Sequence, residues 1–227
     1  MTDQALPVLY SFRRCPFAMR ARMALKLSGQ NCELREIVLR DKPDEMVAVS
    51  PKATVPVLVE TDGTVRDESL EIMLWTLQRN DPDGLLTPDQ GNKEDMLALI
   101  HVIDNDFKGH LDRYKYANRY ANENDGGGVD PVEHRTSGMT VLAELERRLT
   151  QSRYLFGDRL SLADIAIAPF VRQFANTDAD WFAQQPVPAL HRWLSDILES
   201  DLFQSCMKKY KPWKITGEAF AFPEASP

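Results

Sequence analysis

The sequence predicts two domains of different class, a small α/β domain followed by an all-α domain. Three observations support this prediction. Before residue 80, short strand-like runs alternate with helix-like runs, and after about residue 88 the strand signals stop and long helical patterns take over. Between them, Asn80-Asp81-Pro82-Asp83-Gly84 concentrates turn-forming residues at one place. We therefore expect the domains to span residues 1–80 and 88–227.

The first domain is predicted to have the element order β-α-β-α-β-β-α. The hydrophobic period assigns the four strands to residues 8–11, 33–39, 56–59 and 64–66. It assigns the first and last helices to residues 17–28 and 68–78. Asp62-Gly63, between the last two strands, is a hairpin signal. A helical crossover between the first two strands gives parallel pairing. We therefore expect a small mixed sheet with an antiparallel edge.

The second domain is predicted to be all-helical. Its four long helical patterns cover residues 92–122, 132–151, 162–175 and 187–209. Three successive glycines at 126–128 interrupt the first two patterns, because glycine is costly inside a helix. Ser161 and Asp164 form a capping box at the start of the third helix, and we assign them a folding role. Residues 221–227 are expected to form a loosely held tail.

The composition excludes several classes of protein. A chain of 227 residues with 43% hydrophobic side chains can bury a sizeable core, and no run approaches the ~20 apolar residues of a membrane span. The net charge of -7 argues against nonspecific binding to nucleic acids or anionic membranes, because those surfaces attract basic patches. The sequence therefore predicts neither nucleic acid nor membrane as a partner.

The cysteines and the N-terminus favour a cytoplasmic protein. Cys15, Cys32 and Cys206 are odd in number and far apart, which indicates free thiols rather than a disulfide framework. The N-terminal sequence MTDQALPVLY lacks the basic and apolar regions of a secretory signal. The four histidines have no metal-like spacing, so we expect no metal site.

Cys15 lies between the first predicted strand and the first predicted helix. Pro16 suits the first helical turn, because its missing N–H would be unsatisfied there in any residue, so Cys15 becomes the N-cap. A thiolate at that position is favoured by the positive end of the helix and by the four arginines between positions 13 and 22. The alternative is a buried, inert cysteine. We interpret Cys15 as a nucleophile.

Ala18 stands where a Cys-x-x-Cys motif would place its second thiol. An internal disulfide cycle is therefore blocked. A single thiol can still exchange disulfides when a soluble thiol supplies the second sulfur, which points to glutathione.

Two further motifs accompany this cysteine. Pro56 opens a strand, and a cis Val55–Pro56 bond would turn the backbone toward the nucleophile, with an ordinary trans bond as the alternative. Asp67-Glu68-Ser69 precedes a helix, which such residues cap. The same groups can also bind the carboxylate and the ammonium of a ligand, and the two roles are compatible.

Taken in order, these motifs resemble the glutathione-binding domain of cytosolic glutathione S-transferases, and most of all the cysteine-type, omega-like classes. The resemblance covers residues 7–80 by motif and the rest by helical architecture. It rests on residues 15–20, 39–43, 55–58 and 67–69. It implies a thioredoxin-like domain followed by a helical-bundle domain that contributes the acceptor-substrate site.

The resemblance also implies roles for individual residues. Cys15 would face the glutathione sulfur. Lys42 would bind the glycyl carboxylate, Val55 would pair with the cysteinyl backbone beside a cis proline, and Glu68 and Ser69 would hold the γ-glutamyl end. The implied glutathione-binding residues are Phe17, Lys42, Val55, Pro56, Glu68 and Ser69.

A nucleophilic Cys15 predicts glutathione-dependent thiol transfer, such as deglutathionylation or the reduction of dehydroascorbate-like oxidants, over conjugation. Tyr10 and Ser11 are rivals for the catalytic role, because many transferases of this fold activate glutathione with a hydroxyl. One alternative is conventional conjugation of glutathione to small electrophiles. The other is a noncatalytic interaction protein resembling the bacterial stringent starvation proteins.

The acceptor substrate is less visible in the sequence. Tyr114, Tyr116 and Trp181 are candidates for lining its site, with core packing as the alternative. The family resemblance implies a homodimer whose ligands are glutathione and a small-molecule or glutathionylated substrate.

Overall fold

A computed structural model describes residues 5–224 of the chain. The beginning of the N-terminal sequence, residues 1–4, and the end of the expected tail, residues 225–227, lie outside the described residues. The chain divides into two units: the first comprises residues up to Asp83 together with those from Glu199 onward, and the second comprises Gly84–Leu198. No helix between residues 5 and 224 has the length and apolar character needed to cross a bilayer.

The first unit contains a mixed sheet of five strands in the order β4-β3-β1-β2-β5. The strands are β1 Val8–Ser11, β2 Cys32–Glu36, β3 Val57–Val59, β4 Val65–Arg66 and β5 Phe220–Phe222. β1 pairs with β2 in parallel, and the other three pairings are antiparallel. The predicted mixed sheet with a hairpin at its edge is therefore confirmed, and the sheet domain followed by helices is the predicted fold class.

The helices follow the predicted order with several differences in extent. They are α1 Pro16–Ser28, α2 Asp44–Val49, α3 Ser69–Arg79, α4 Lys93–Val102, α5 Lys108–Lys115, α6 Pro131–Leu149, α7 Leu162–Ala175, α8 Ala179–Ala183, α9 Pro188–Glu199, α10 Asp201–Cys206 and α11 Trp213–Thr216. The helix predicted at 92–122 is interrupted by a π-turn at Ile103–Phe107. The helix predicted at 187–209 breaks at Ser200, whose hydroxyl accepts a hydrogen bond from the Phe203 N–H at 3.2 Å.

The C-terminal residues correct the predicted domain assignment. We expected residues 88–227 to form the helical domain, but residues from Glu199 onward belong to the first unit. The expectation of a loose tail at 221–227 is also wrong where β5 pairs with β2, because Phe222 lies opposite Cys32 and is 2% exposed. Without β5, β2 would be an edge strand with unpaired N–H and C=O groups, and β5 provides partners for them.

The two faces of the sheet carry different structures. Successive side chains of a strand point to opposite faces. Ser11 faces α1, where its Oγ accepts a hydrogen bond from Arg22 Nε at 2.8 Å. Tyr10 faces the other way and joins an apolar cluster with Met46 of α2, so α2 and α1 lie on opposite faces.

The second unit is built around α7. Every residue of α7 from Leu162 to Val171 is buried, and Asp164 at its start is fully buried. The helix has the bounds predicted from the sequence. Its apolar surface on all sides fits a central helix.

Candidate active site

Cys15 is the N-cap of α1, as the Pro16 signal predicts. Its backbone is extended, with φ -78° and ψ 124°, and no side chain caps this helix start. The side chain is half-buried and packs against a cluster defined by Tyr10, Ile37, Met46, Val55 and Val57. The thiol therefore lies at a helix start without a side-chain cap and packs against apolar side chains.

Val55 is the backbone partner of this thiol. Cys15 Sγ donates to the Val55 carbonyl oxygen at 3.6 Å. The Val55–Pro56 peptide is cis, as the family resemblance implies. Both residues are buried, so the strand edge that follows them is held close to the start of α1.

The arginines near Cys15 contribute less positive charge than the sequence suggests. Arg22 is fully buried and ion-paired with Glu36, and Arg20 is 2% exposed and donates from Nε to Ser69 Oγ at 2.9 Å. The Arg13 backbone N–H also donates to Glu36, at 2.7 Å. The Glu36 carboxylate thus offsets the charge of Arg22, and the positive end of α1 lies directly at Cys15.

The start of α3 carries the second group of predicted residues. Glu68 is exposed and ion-paired with Lys52, whereas Ser69 is 2% exposed and bonded to Arg20. The hydrogen bond from Lys52 to Glu68 raises the pKa of Lys52. Sequence reasoning missed Lys52, whose only signal is its position four residues before Pro56. Glu68 is therefore already placed to accept an ammonium group.

The remaining two predicted residues lie at either side of these groups. Phe17, in the first turn of α1, has the Arg20 guanidinium 5.1 Å from its ring centroid. Lys42 is half-buried just before α2, and its carbonyl accepts from Lys214 Nζ at 3.1 Å. Among residues 5–224, no carboxylate lies within 4 Å of Lys42 Nζ.

The two rival hydroxyls are already engaged. Tyr10 Oη accepts from Arg35 Nη1 at 2.9 Å, and the residue is 3% exposed. Ser11 is fully buried on the opposite face of the sheet, bonded to Arg22. Neither hydroxyl is as accessible as the Cys15 thiol.

The other two cysteines have a different character. Cys32 is 1% exposed and Cys206 is fully buried. Burial raises the pKa of each thiol to about 12, which keeps both protonated and unreactive at neutral pH. Cys15 is thus the only half-buried thiol of the three.

The acceptor-site candidates lie in the second unit. Tyr114 and Trp181 both contact Phe174, with ring centroids 5.2 Å and 6.5 Å away, and the Arg135 guanidinium lies over both rings. Burial raises the pKa of Tyr114, and the nearby Arg135 guanidinium opposes that shift. Tyr116 instead contacts Gln173, which donates to its Oη at 3.4 Å. Tyr114 and Trp181 therefore share one aromatic cluster, and a role in acceptor binding stays a prediction.

Asp164 occupies the capping position that the sequence assigned to folding. Its Oδ2 accepts from the Ser161 N–H at 2.9 Å and hydroxyl at 2.6 Å, and its Oδ1 accepts from the Leu155 N–H at 2.9 Å and Trp193 Nε1 at 2.8 Å. Burial raises the pKa of this carboxyl, and the four hydrogen bonds oppose that shift. The group is fully enclosed, which suits a structural role.

Comparison with known proteins identifies the family. The model of the glutathione S-transferase N-terminal domain matches residues 9–84, and the model of the C-terminal domain of the same family matches residues 109–196. The chain belongs to the glutathione S-transferase family.

Individual relatives span several classes of this family. Maleylacetoacetate isomerase of Mus musculus is 26% identical over 211 residues, which cover 91% of this chain and 94% of the relative. Glutathione S-transferase omega-1 of Rattus norvegicus is 26% identical over 199 residues, covering 87% of this chain and 78% of the relative. These relatives support a glutathione transferase enzyme, and they do not decide the class.

Solved structures agree on the fold. The bacterial transferase BphK, in a ternary complex, matches with a TM-score of 0.72 at 23% identity over 88% of this chain and 97% of that one. The transferase URE2P6 of Phanerochaete chrysosporium, solved with oxidized glutathione, gives a TM-score of 0.74 at 18% identity over 91% of this chain and 96% of that one. Glutathione is the co-substrate of this family. Among residues 5–224, no three His, Cys, Asp or Glu side chains are grouped to hold a metal ion.

Proposed function

We propose that this transferase is of the cysteine type, similar to the omega class, and that it carries out glutathione-dependent thiol transfer. The observation that carries the proposal is the half-buried Cys15 at an uncapped helix start, with Ala18 in the position of a second thiol. Its substrates are glutathionylated thiols or dehydroascorbate-like oxidants.

The cycle requires two thiol–disulfide exchanges. In the first, the Cys15 thiolate attacks the glutathione sulfur of a mixed disulfide, a Cys15–glutathione disulfide forms, and the acceptor thiolate leaves and takes up a proton. In the second, the thiolate of free glutathione attacks the glutathione sulfur of that adduct, oxidized glutathione forms, and the Cys15 thiolate is released. In sum, the mixed disulfide and one free glutathione are converted into the acceptor thiol and oxidized glutathione, one half of which comes from the substrate.

Glutathione binding is proposed to use the residues around Cys15. The Val55 backbone, beside the cis Pro56, pairs with the cysteinyl residue of glutathione, and Phe17 packs beside the sulfur. Lys42 binds the glycyl carboxylate as a point charge. At the γ-glutamyl end, Glu68 binds the ammonium group. Ser69 and the uncapped N–H groups of α3 bind the carboxylate.

Glutathione conjugation or isomerisation is the second candidate function. Cys15 Sγ donates a hydrogen bond to the Val55 carbonyl, so a neutral thiol at this place can also donate to a glutathione thiolate. The similarity to maleylacetoacetate isomerase supports this candidate as well. The enzymatic relatives favour both candidates over a noncatalytic interaction protein.

The test compares wild type with Cys15→Ser in two assays at matched folded fraction. One assay follows glutathione-dependent reduction of a glutathionylated small thiol, and the other follows conjugation to a halogenated nitroarene. We expect Cys15→Ser to lose thiol transfer about a hundredfold or more. Cys206→Ala is the matched control, because that thiol is fully buried. Thiol transfer retained in Cys15→Ser contradicts the proposal, and conjugation retained or increased favours the second candidate.

We also propose a homodimer in a reducing, cytosolic compartment. The homodimer is typical of the family, and a supply of reduced glutathione is required by the second exchange. Light scattering of the purified chain tests the assembly, and a mass equal to one chain contradicts it.

A further inference from the structure

The C-terminal residues form a closed loop on the first unit, which we call the clasp and define as residues 208–224. Its two ends are tied by the ion pair of Lys208 with Glu224 at 2.6 Å and by stacking of Tyr210 on Phe220, with centroids 4.8 Å apart. β5 within the clasp pairs with β2. The clasp is therefore anchored to the sheet through β5, and we call α11, midway along it, its tip.

The tip of the clasp contacts the face of the sheet that carries α2. The ring of Trp213 lies edge-on to Tyr10 with centroids 6.2 Å apart, and the Arg35 guanidinium lies 4.3 Å from the Trp213 centroid. Trp213 packs against the same apolar cluster as Cys15. The tip thus belongs to the surroundings of the candidate active site, although it follows Cys15 by nearly two hundred residues.

Lys214, beside Trp213, reaches the segment that carries Lys42. Its Nζ forms an ion pair with Asp41 Oδ1 at 2.6 Å and donates to the Lys42 carbonyl at 3.1 Å. The hydrogen bond to Asp41 raises the pKa of Lys214, so the ion pair persists at neutral pH. α2, which follows, has six residues and buries only Met46. The clasp therefore supplies contacts that this short helix lacks.

We propose that Lys214 and Trp213 are positioning residues for glutathione, which hold residues 41–42 so that the Lys42 ammonium meets the glycyl carboxylate. The inference rests on the proposed role of Lys42. The C-terminal clasp then contributes to recognition of the glycyl end of glutathione. Loss of its contacts weakens the preference for a free glycyl carboxylate.

The test measures the dissociation constants of glutathione and of its glycyl monoethyl ester by calorimetry. We expect Lys214→Ala to weaken glutathione binding about threefold to fivefold, which is the range of an exposed ion pair, and to leave binding of the ester unchanged. Lys211→Ala is the matched control, because Lys211 lies in the clasp and pairs with Glu218. We expect this control to bind glutathione like wild type.

A charge exchange provides the second arm. Asp41→Lys combined with Lys214→Asp restores the ion pair in reverse, and we expect it to recover most of the affinity that either single variant loses. Equal affinity of Lys214→Ala and Lys211→Ala for glutathione overturns the inference, as does an equal loss for glutathione and the ester. Calorimetry measures glutathione binding and not thiol transfer. Failure of the proposed function, seen in the activity assay, can therefore be distinguished from failure of this inference.

Discussion

The starts of α1 and α7 differ in the side chains that occupy them. At α1, Cys15 occupies the N-cap, and no side chain caps the helix start. At α7, Asp164 is fully buried and accepts four hydrogen bonds, one of them from the N–H of the N-cap residue Ser161. A helix start leaves N–H groups that need partners, whether from the protein or from a ligand.

This difference extends to the other helices. α3, which carries Glu68 and Ser69, also starts without a side-chain cap, whereas α4, α6 and α8 in the second unit have caps from Asn92, Asp130 and Asp178. The helix starts that carry Cys15, Glu68 and Ser69 thus lack side-chain caps, a feature that α2, α5 and α11 share. The comparison predicts that changes at α7 cost stability, whereas changes at α1 cost activity.

The largest expected effect on stability is that of Asp164→Ala. The substitution leaves the Trp193 indole N–H, the Leu155 N–H and the Ser161 groups buried without their acceptor. We expect a loss of about 3–5 kcal/mol in the free energy of unfolding, measured by urea denaturation. Asp95→Ala removes half of the exposed capping box of Asn92 and serves as the control, with an expected loss of about 1 kcal/mol. Equal losses in the two variants would contradict the burial argument.

Ser69→Ala tests a helix start that has both roles. It removes the acceptor of the buried Arg20 Nε, so we expect a loss of about 1–3 kcal/mol in unfolding free energy. Because Ser69 is also a proposed ligand residue, we expect weaker glutathione binding in the same variant. Ser28→Ala, at another buried serine, is the control for stability alone. Unchanged glutathione affinity in folded Ser69→Ala would remove Ser69 from the site.

His134, near the start of α6, is expected to make the free energy of unfolding depend on pH. His134 Nδ1 lies 2.8 Å from His110 Nδ1, so one ring donates and the other accepts. Burial, followed by the charge of His110, lowers the pKa of His134 in the folded state. As pH falls through about 6.5, the unfolded state gains this proton first, so stability is lost with decreasing pH.

We expect His134→Gln to flatten this part of the pH–stability profile, measured by urea denaturation between pH 7.5 and 5 at about half-unit steps. His101→Gln, at an exposed histidine, is the control. An unchanged slope in His134→Gln would show that the histidine pair does not couple to folding.

The smallest expected effect is that of Cys15→Ser on stability. Cys15 is half-buried and its side chain caps nothing, so we expect a change of about 0.5 kcal/mol or less in unfolding free energy. Thermal and urea unfolding of wild type and variant measure it. A loss comparable to that of Asp164→Ala would support the alternative interpretation of Cys15 as a structural cysteine.

The sequence predicted the elements whose signals are local. The position of Cys15 followed from Pro16, and the bounds of α7 followed from its capping residues and apolar run. Lys52 was missed because its position four residues before Pro56 does not by itself indicate a role, and its partner Glu68 lies sixteen residues away. β5 and the clasp contacts of Lys214 were missed because their partners lie more than 170 residues earlier in the chain. Nonlocal pairing leaves no period or spacing in a single sequence.

The burial of the arginines near Cys15 also escaped the sequence. Arg20 and Arg22 were counted from the sequence among the charges near the thiol, and both are buried. Buried charges require partners, and Glu36 and Ser69 supply them from other elements. Local charge counts therefore overstated the positive field at the thiol.

Intact-mass measurement after incubation with oxidized glutathione tests the central claim most directly. We expect one glutathione adduct per chain, located on Cys15 by peptide mapping, absent in Cys15→Ser and removed by reduced glutathione. Cys32 and Cys206, with pKa values raised to about 12 by burial, stay unmodified in the folded protein. No adduct on Cys15, or an adduct that reduced glutathione does not remove, would contradict the claim.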